Sequence, residues 1–309
     1  MHRGRLDGLD GLRGIAALCV FLSHVFPDYR TSAYLAVDFF FMLSGYVMAR
    51  SYEARLGSGG GRAFMLARIR RLCPTILLAG LFALPWLLSQ PDTSATFVLV
   101  CLALPLLINF PAWSIGAELF ANLVHALGLA RLGTPRLALL GTVSFAALVV
   151  TAWGHGLDFV PGRAVWWAIG LRALVPYIAG IVLHRLWRDQ PPLAPSASLT
   201  FAAMPVALAL ATLFPATRGW ADLAFMALIC PLLIAGGLRH GQRSRLAQAA
   251  GAYSFPLYAA HAPAILTVQA FGLDWPWRLA AGLAAGALVM IVMERMHTHS
   301  TGAPVLKAA

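Results

Sequence analysis

Five stretches of this chain, residues 72–91, 93–117, 190–217, 223–238 and 246–273, contain no Asp, Glu, Lys or Arg. A helix that crosses a bilayer needs about 20 mostly apolar residues, and most of these runs are that long. Soluble domains carry about 25% charged residues; here the figure is 11%, beside 60% hydrophobic. Ten membrane helices would use about two thirds of the chain and leave only short loops. The expected fold class is therefore all-α, a polytopic transmembrane helical bundle. A single integral-membrane domain is expected over residues 1–309, with no appended soluble domain.

The net charge of +11 belongs to this frame. Its Arg residues stand in short clusters between apolar runs, a pattern that speaks against a nucleic-acid partner. Cytoplasmic loops of membrane proteins carry such an excess of Lys and Arg. Cys19, Cys73, Cys101 and Cys230 all fall in apolar stretches, with no metal-site spacing, and read as packing residues. The polar N-terminus and the lack of a small-residue cleavage site make the first apolar run a retained span rather than a signal peptide.

Apolar segments fall near residues 12–26, 34–49, 73–89, 94–109, 114–130, 137–153, 165–184, 198–214, 222–238, 252–271 and 277–293. If each Arg cluster between them is cytoplasmic, an even number of crossings must separate it from the next. Between Arg71 and Arg131 there are three segments where two are allowed. Region 94–112, which holds Pro105 and Pro111, is the one expected to be re-entrant or to lie along the outer face. The expectation is about ten spans with both termini cytoplasmic. Outer loops then lie at 27–33, 154–163, 215–221 and 272–276, with Trp166 and Trp167 at an interface.

Ionisable side chains inside spans are expensive and usually functional. Arg13 and His24 are eleven helical steps apart, close to three whole turns, so they share a face about 17 Å apart along the axis. Arg13 then sits near the cytoplasmic edge and His24 in the outer half. A snorkelling Arg and an interfacial hydrogen-bonded His would give the same spacing. Asp38 on the second segment and Glu118 on a later one come out at the level of His24. A His with carboxylates is a general-base arrangement, although an interhelical hydrogen-bond network uses the same residues. Arg68 and Arg71 are neighbours on a helix face. They suit a phosphate-rich ligand or simply mark a cytoplasmic loop. His261 and Arg172, both within apolar segments, are open to structural or substrate-binding roles.

Five elements in order make the chain recognisable. They are Leu9-Asp-Gly-Leu-Arg13-Gly with His24; the Phe-Phe-Phe-Met-Leu-Ser44-Gly45-Tyr46 run; Arg68-Ile-Arg70-Arg71-Leu-Cys-Pro74; Trp113-Ser114-Ile-Gly-Ala-Glu118; and Ser254-Phe-Pro-Leu-Tyr258-Ala-Ala-His261. Together they resemble membrane acyltransferase family three, the O-antigen acetylase type. That resemblance implies a multi-pass enzyme of the inner (plasma) membrane. It would transfer an acyl group, usually acetyl, from cytoplasmic acyl-coenzyme A to a hydroxyl of a cell-surface carbohydrate or its precursor. It makes His24, with Glu118 and Asp38, the expected catalytic set, and Arg13, Arg68 and Arg71 the expected holders of the coenzyme. Ser114, Ser44, Tyr46, Arg172 and His261 are the expected substrate contacts. No metal is implied. Phe120 and Phe255 depart from the family's pattern, which bears on acceptor choice. A proton-coupled secondary transporter would also place Asp, Glu, His and Arg inside the membrane, but the halves show no clear paired repeats.

Overall fold

The computed structural model describes residues 5–28, 31–90, 94, 109–153, 156–158, 166–241 and 243–301. Among these residues every regular element is helical. The helices are α1 (Asp7–Val25), α2 (Leu35–Gly57), α3 (Gly61–Gly80), α4 (Leu84–Leu88), α5 (Trp113–Leu127), α6 (Thr134–Ala152), α7 (Trp166–Trp187), α8 (Ala197–Leu213), α9 (Arg218–Ala224), α10 (Cys230–Arg239), α11 (Arg245–Ala270) and α12 (Trp275–Thr301). A π-helical turn, Phe225–Ile229, joins α9 to α10. The region expected to be re-entrant lies mostly outside the described residues, as does Cys101.

Six helical stretches are long and apolar enough to cross a membrane: Asp7–Val25, Gly61–Leu88, Thr134–Ala152, Trp166–Trp187, Pro215–Arg239 and Trp275–Met296. Helix α8 is apolar but shorter. Helices α2 and α11 have 23 and 26 residues, about 35 and 39 Å at the α-helical rise. Both are therefore long enough. What separates them from the six is polarity: Asp38, Arg50, Glu53 and Arg55 in α2, and Gln248, Tyr253, Ser254, Tyr258 and His261 in α11.

Helix ends and interiors follow local chemistry. Ser196 and Ser244 cap α8 and α11 by accepting from Leu199 N and Ala247 N. Asp7 and Asp10 stand in the first turn of α1, where the helix dipole favours acids. Prolines occur inside α3, α7, α8 and α11, which bilayer helices tolerate when the freed carbonyls find other donors.

The chain forms two compact units. The first comprises residues 1–29, 71–112 and 242–309, the second 30–70 and 113–241; the boundary at 70/71 falls within α3. In the first, α1 lies along α11 with both running the same way: Asp7 meets Gln248, Asp10 meets Gly251, and His24 meets His261. A Cβ added at Gly14 would lie 2.6 Å from Cβ of Ala250, so small residues set this approach. Helix α12 covers α11 through an alanine-rich core of Ala259, Ala260, Ala264 and Ala285 with Val289. Lipid is as apolar as Leu, so small residues that permit close backbone packing hold such helices together.

The second unit is built the same way on α2 and α7, also parallel: Asp38 meets Arg172, Tyr46 meets His184, and Arg50 meets Asp189. A Cβ at Gly45 would strike the Tyr177 carbonyl and one at Gly180 the Met42 carbonyl. Helix α6, by contrast, buries little beyond Leu137, Leu148 and Ala152.

Candidate active site

In the first unit the chemistry centres on two imidazoles. His24 Nδ1 lies 2.8 Å from the Val20 carbonyl, one turn back on α1. His261 Nδ1 lies 3.1 Å from the Leu257 carbonyl on α11. A carbonyl only accepts, so each ring must carry its proton on Nδ1 to make these bonds. The lone pairs then sit on the two Nε2 atoms. His261 Nε2 faces His24 Nδ1 at 3.4 Å, so that lone pair is directed at the proton His24 shares with Val20. The Nε2 of His24 keeps its own lone pair. Such a nitrogen can take a proton from an attacking hydroxyl.

The surroundings fix His261. It is fully buried, with Phe21 edge-on at 5.9 Å and Tyr258 at 5.8 Å between ring centroids. Pro263 on the same helix lacks an N–H, which leaves the Ala259 carbonyl without its helical donor. Asn109 supplies one from its side-chain amide, 2.7 Å away. Tyr258 donates its hydroxyl to the Pro111 carbonyl at 3.1 Å. A proline gap in the helical hydrogen bonding, filled by Asn109, thus sits beside His261.

Arg13 lies on α1, which is helical without interruption to His24, so the inferred separation of about 17 Å holds along that axis. Its only described ion pair is a loose one with Asp10 at 3.5 Å. Asp10 is held more tightly by Arg5, at 2.7 Å. Arg71 is exposed.

The two carboxylates expected beside His24 belong to the second unit, and each has its own cation there. Glu118 accepts from Arg68 at 2.5 Å and from the Ser44 hydroxyl at 2.7 Å, all on one oxygen. Arg68 is buried, yet its Nε has no hydrogen-bond partner among the described residues. Asp38 and Arg172 are fully buried and meet through paired contacts of 2.9 and 3.0 Å. Arg172 also donates to the Tyr34 carbonyl and lies over the Trp113 ring. Tyr46 donates to Asp189 at 2.7 Å. The Arg50 guanidinium reaches the other Asp189 oxygen at the same distance. Asp189 and Arg188 both have positive φ, 69° and 47°, and Asp189's partners anchor this left-handed exit from α7. Ser114 is buried on the first turn of α5.

Several polar groups carried no signal at the level of single residues. Glu53 accepts from Arg185 at 2.6 Å. His125, Tyr177 and Asn122 form a buried hydrogen-bonded chain. Asp222, at the edge of a charge-free run, accepts from Tyr34 and from the Leu157 N–H. The spacing of Arg218 and Asp222, one helical turn apart at the start of a span, is the signal that could have found the last of these.

A family model described as an acyltransferase domain, the acyltransferase-3 family, matches residues 6–295. A Rhizobium radiobacter protein named protein 2 in picA locus is 34% identical over 177 residues, covering 47% of this chain and 93% of that protein. A provisionally named O-acetyltransferase of Staphylococcus aureus is 33% identical over 76 residues, 24% of this chain. A provisionally named peptidoglycan O-acetyltransferase of Bacillus subtilis, YrhL, is 34% identical over 88 residues, 28% of this chain. Those two matches cover only 13% and 14% of the relatives' own lengths. No solved structure is significantly similar. This chain belongs to the acyltransferase-3 family. It is an enzyme that transfers acyl groups.

Proposed function

We propose that this protein is an inner-membrane O-acyltransferase that moves an acyl group, acetyl by default, from cytoplasmic acyl-coenzyme A to a carbohydrate hydroxyl. The observation that carries the mechanism is the His24–His261 pair, which commits His24 to the tautomer with a basic Nε2. As the sugar oxygen attacks the thioester carbonyl, His24 Nε2 takes its proton. The C–S bond then breaks, and the proton passes to the departing thiolate, giving an O-acyl ester and free coenzyme A. His261 is a positioning residue in this scheme, since it orients and polarises the His24 ring.

Arg13, Arg68 and Arg71 are proposed to hold the donor's phosphates at the cytoplasmic end. The unpartnered Nε of Arg68 leaves it donor capacity beyond its bond to Glu118. An extended pantetheine arm matches the rise of about 17 Å from Arg13 to His24. Glu118 and Ser44 then position Arg68. Asp38, Arg172 and Tyr46 have their polar groups engaged within the second unit and hold its helices in register.

The two parallel helix pairs support a count of ten crossings. Two spans that run the same way must be separated by an odd number of crossings. With ten spans, seven separate α1 from α11 and three separate α2 from α7. If region 94–112 also crossed, both numbers would become even. Single cysteines at Ser58 and Ala216, both exposed, test the polarity with an impermeant thiol reagent on cells. Ala216 should label from outside and Ser58 only after permeabilisation. The reverse pattern would place the acceptor in the cytoplasm and end the cross-membrane scheme. Transfer itself is read with radiolabelled acetyl-coenzyme A and purified protein.

A further inference from the structure

At the start of α1, in the first unit, one carboxylate is shared between two guanidinium groups. Asp10 Oδ2 accepts from Arg5 Nε at 2.7 Å, and Oδ1 accepts from Arg13 Nη1 at 3.5 Å. Arg5 is held by its surroundings as well. It donates to the Gln248 carbonyl at 3.3 Å and lies 3.7 Å from Asp7 Oδ1. Asp7 in turn accepts from the Gln248 side chain at 2.9 Å. Asp10 is wedged against α11, where a Cβ at Gly251 would collide with its own Cβ. Helix α11 and Arg5 therefore fix the carboxylate, and Arg13 is the partner that can leave it.

Arg13 keeps most of its donors. Nη1 is its one side-chain nitrogen with a partner among the described residues, and neither Nε nor Nη2 is buried. The side chain is 28% exposed, against 12% for Asp10. Ion pairs between partly exposed side chains are worth little, so Arg13 leaves Asp10 at small cost. A phosphate and a carboxylate compete for one guanidinium, because both accept its N–H groups in the same geometry. The grip on phosphate also has a drawback for turnover. Acyl-coenzyme A and free coenzyme A carry the same phosphates, so this binding holds product as firmly as donor.

We propose that Asp10 is a built-in competitor for the coenzyme's phosphates. In the empty enzyme Arg13 rests on Asp10. When the donor binds, Arg13 turns to a phosphate and Arg5 alone neutralises Asp10. After transfer, Asp10 draws Arg13 back and free coenzyme A leaves. Asp10 is thus a positioning residue that acts through Arg13. The proposal rests on the reading of Arg13 as a donor contact, and adds to it the residue that limits how tightly the donor is held. The sign of its effect is distinctive. Removing a competitor strengthens anion binding, whereas removing a structural ion pair weakens it.

The test is binding of tritiated coenzyme A to purified protein without acceptor, read as affinity and as dissociation rate. Asp10→Asn should bind it about three- to tenfold more tightly, the effect of removing one nearby negative charge, and release it more slowly by the same factor. Pantetheine, which lacks the phosphates, should compete with equal affinity in wild type and variant. Arg5→Gln should act in the opposite direction and weaken coenzyme A binding, because it leaves Asp10 to Arg13. That variant also reads the proposal if Asp10→Asn fails to fold. Asp10→Asn combined with Arg13→Gln should bind like Arg13→Gln alone. The competitor is overturned if Asp10→Asn binds coenzyme A no more tightly than wild type, or if pantetheine affinity rises in step. Arg13→Gln alone shows which reading has failed. Unchanged coenzyme A affinity there removes Arg13 from the donor site and the competitor with it. Weakened affinity there, with no gain in Asp10→Asn, overturns the competitor only.

Discussion

The two units are each built on a parallel pair of helices far apart in the chain, but the pairs hold opposite kinds of chemistry. Between α2 and α7 lies a carboxylate–guanidinium pair with no exposure and contacts from two directions. Between α1 and α11 lie two imidazoles that bond backbone carbonyls and touch each other. The first arrangement uses the Asp38 carboxylate in structure. The second spends only one nitrogen of His24 and leaves the other basic. Both Asp38 oxygens are held by the Arg172 cation, which competes with a proton for them, whereas His24 Nε2 has no cation on it among the described residues.

Breaking the imidazole side should have the largest effect. His24→Ala is expected to lower acyl transfer by 10²-fold or more, within the roughly 10²–10⁴ range of a general base, while expression and melting temperature stay near wild type. Turnover within tenfold of wild type would remove His24 from catalysis. On the other side, Asp38→Asn should destabilise the protein by about 3–5 kcal/mol, because it strands a buried guanidinium. Thermal unfolding in detergent measures this, and the pair Asp38→Leu with Arg172→Met should recover most of the loss. If the single and double variants melt alike, the ion pair is not what holds α2 to α7.

Smaller effects sharpen the assignment of the arginines. Arg71→Ala should raise the Michaelis constant for acetyl-coenzyme A about ten- to hundredfold, the loss of a charge-assisted hydrogen bond worth about 1.5–3 kcal/mol, with the melting temperature unchanged. Arg68→Ala should raise it too and also lower the melting temperature, since the partly buried Glu118 loses its cation. A rise in the acceptor's constant alone would move the donor away from these residues. The smallest effect concerns pH. Burial alone would raise the Asp189 carboxyl, but His184, Arg50 and Tyr46 outweigh it and hold the carboxyl well below the usual carboxylate range. The unfolded chain binds that proton first, so this contribution is complete above about pH 4 and fades as pH falls below it. The melting temperature of wild type should drop faster than that of Asp189→Asn between pH 5 and 3.

Much of this was legible before any coordinates. Charge-free runs announce helices, and the eleven helical steps from Arg13 to His24 already place them on one face of a single helix. Asp38 and Arg172 each stand out as intramembrane charges, but nothing local pairs them. Their match depends on the register of two helices packed through Gly45 and Gly180, and one sequence does not state a register. The same gap explains His261: its approach to His24 depends on parallel packing through Gly14 and Ala250, which no local pattern states. Asp222 escaped notice because it is the first residue of the 222–238 segment, and a charge at the very end of an apolar run draws no attention. Hydropathy flags six stretches; α2 and α11, which carry most of the polar chemistry, are too polar to be flagged, and α5 and α8, with 15 and 17 residues, are too short.

The separation of 134 residues between Asp38 and Arg172 also has a consequence in time. Chains grow at about 5–20 residues per second, so Asp38 is made roughly 7 to 27 seconds before Arg172. Through that interval Asp38, in the first turn of α2, has no Arg172 to meet, and an unpaired acid within a span is costly. The nascent helix must wait at the insertion machinery or near the lipid headgroups, and it settles only when Arg172 arrives. A ribosome that stalls before α7 therefore leaves a marked chain, with a stranded acid at the membrane surface that separates unfinished copies from finished ones.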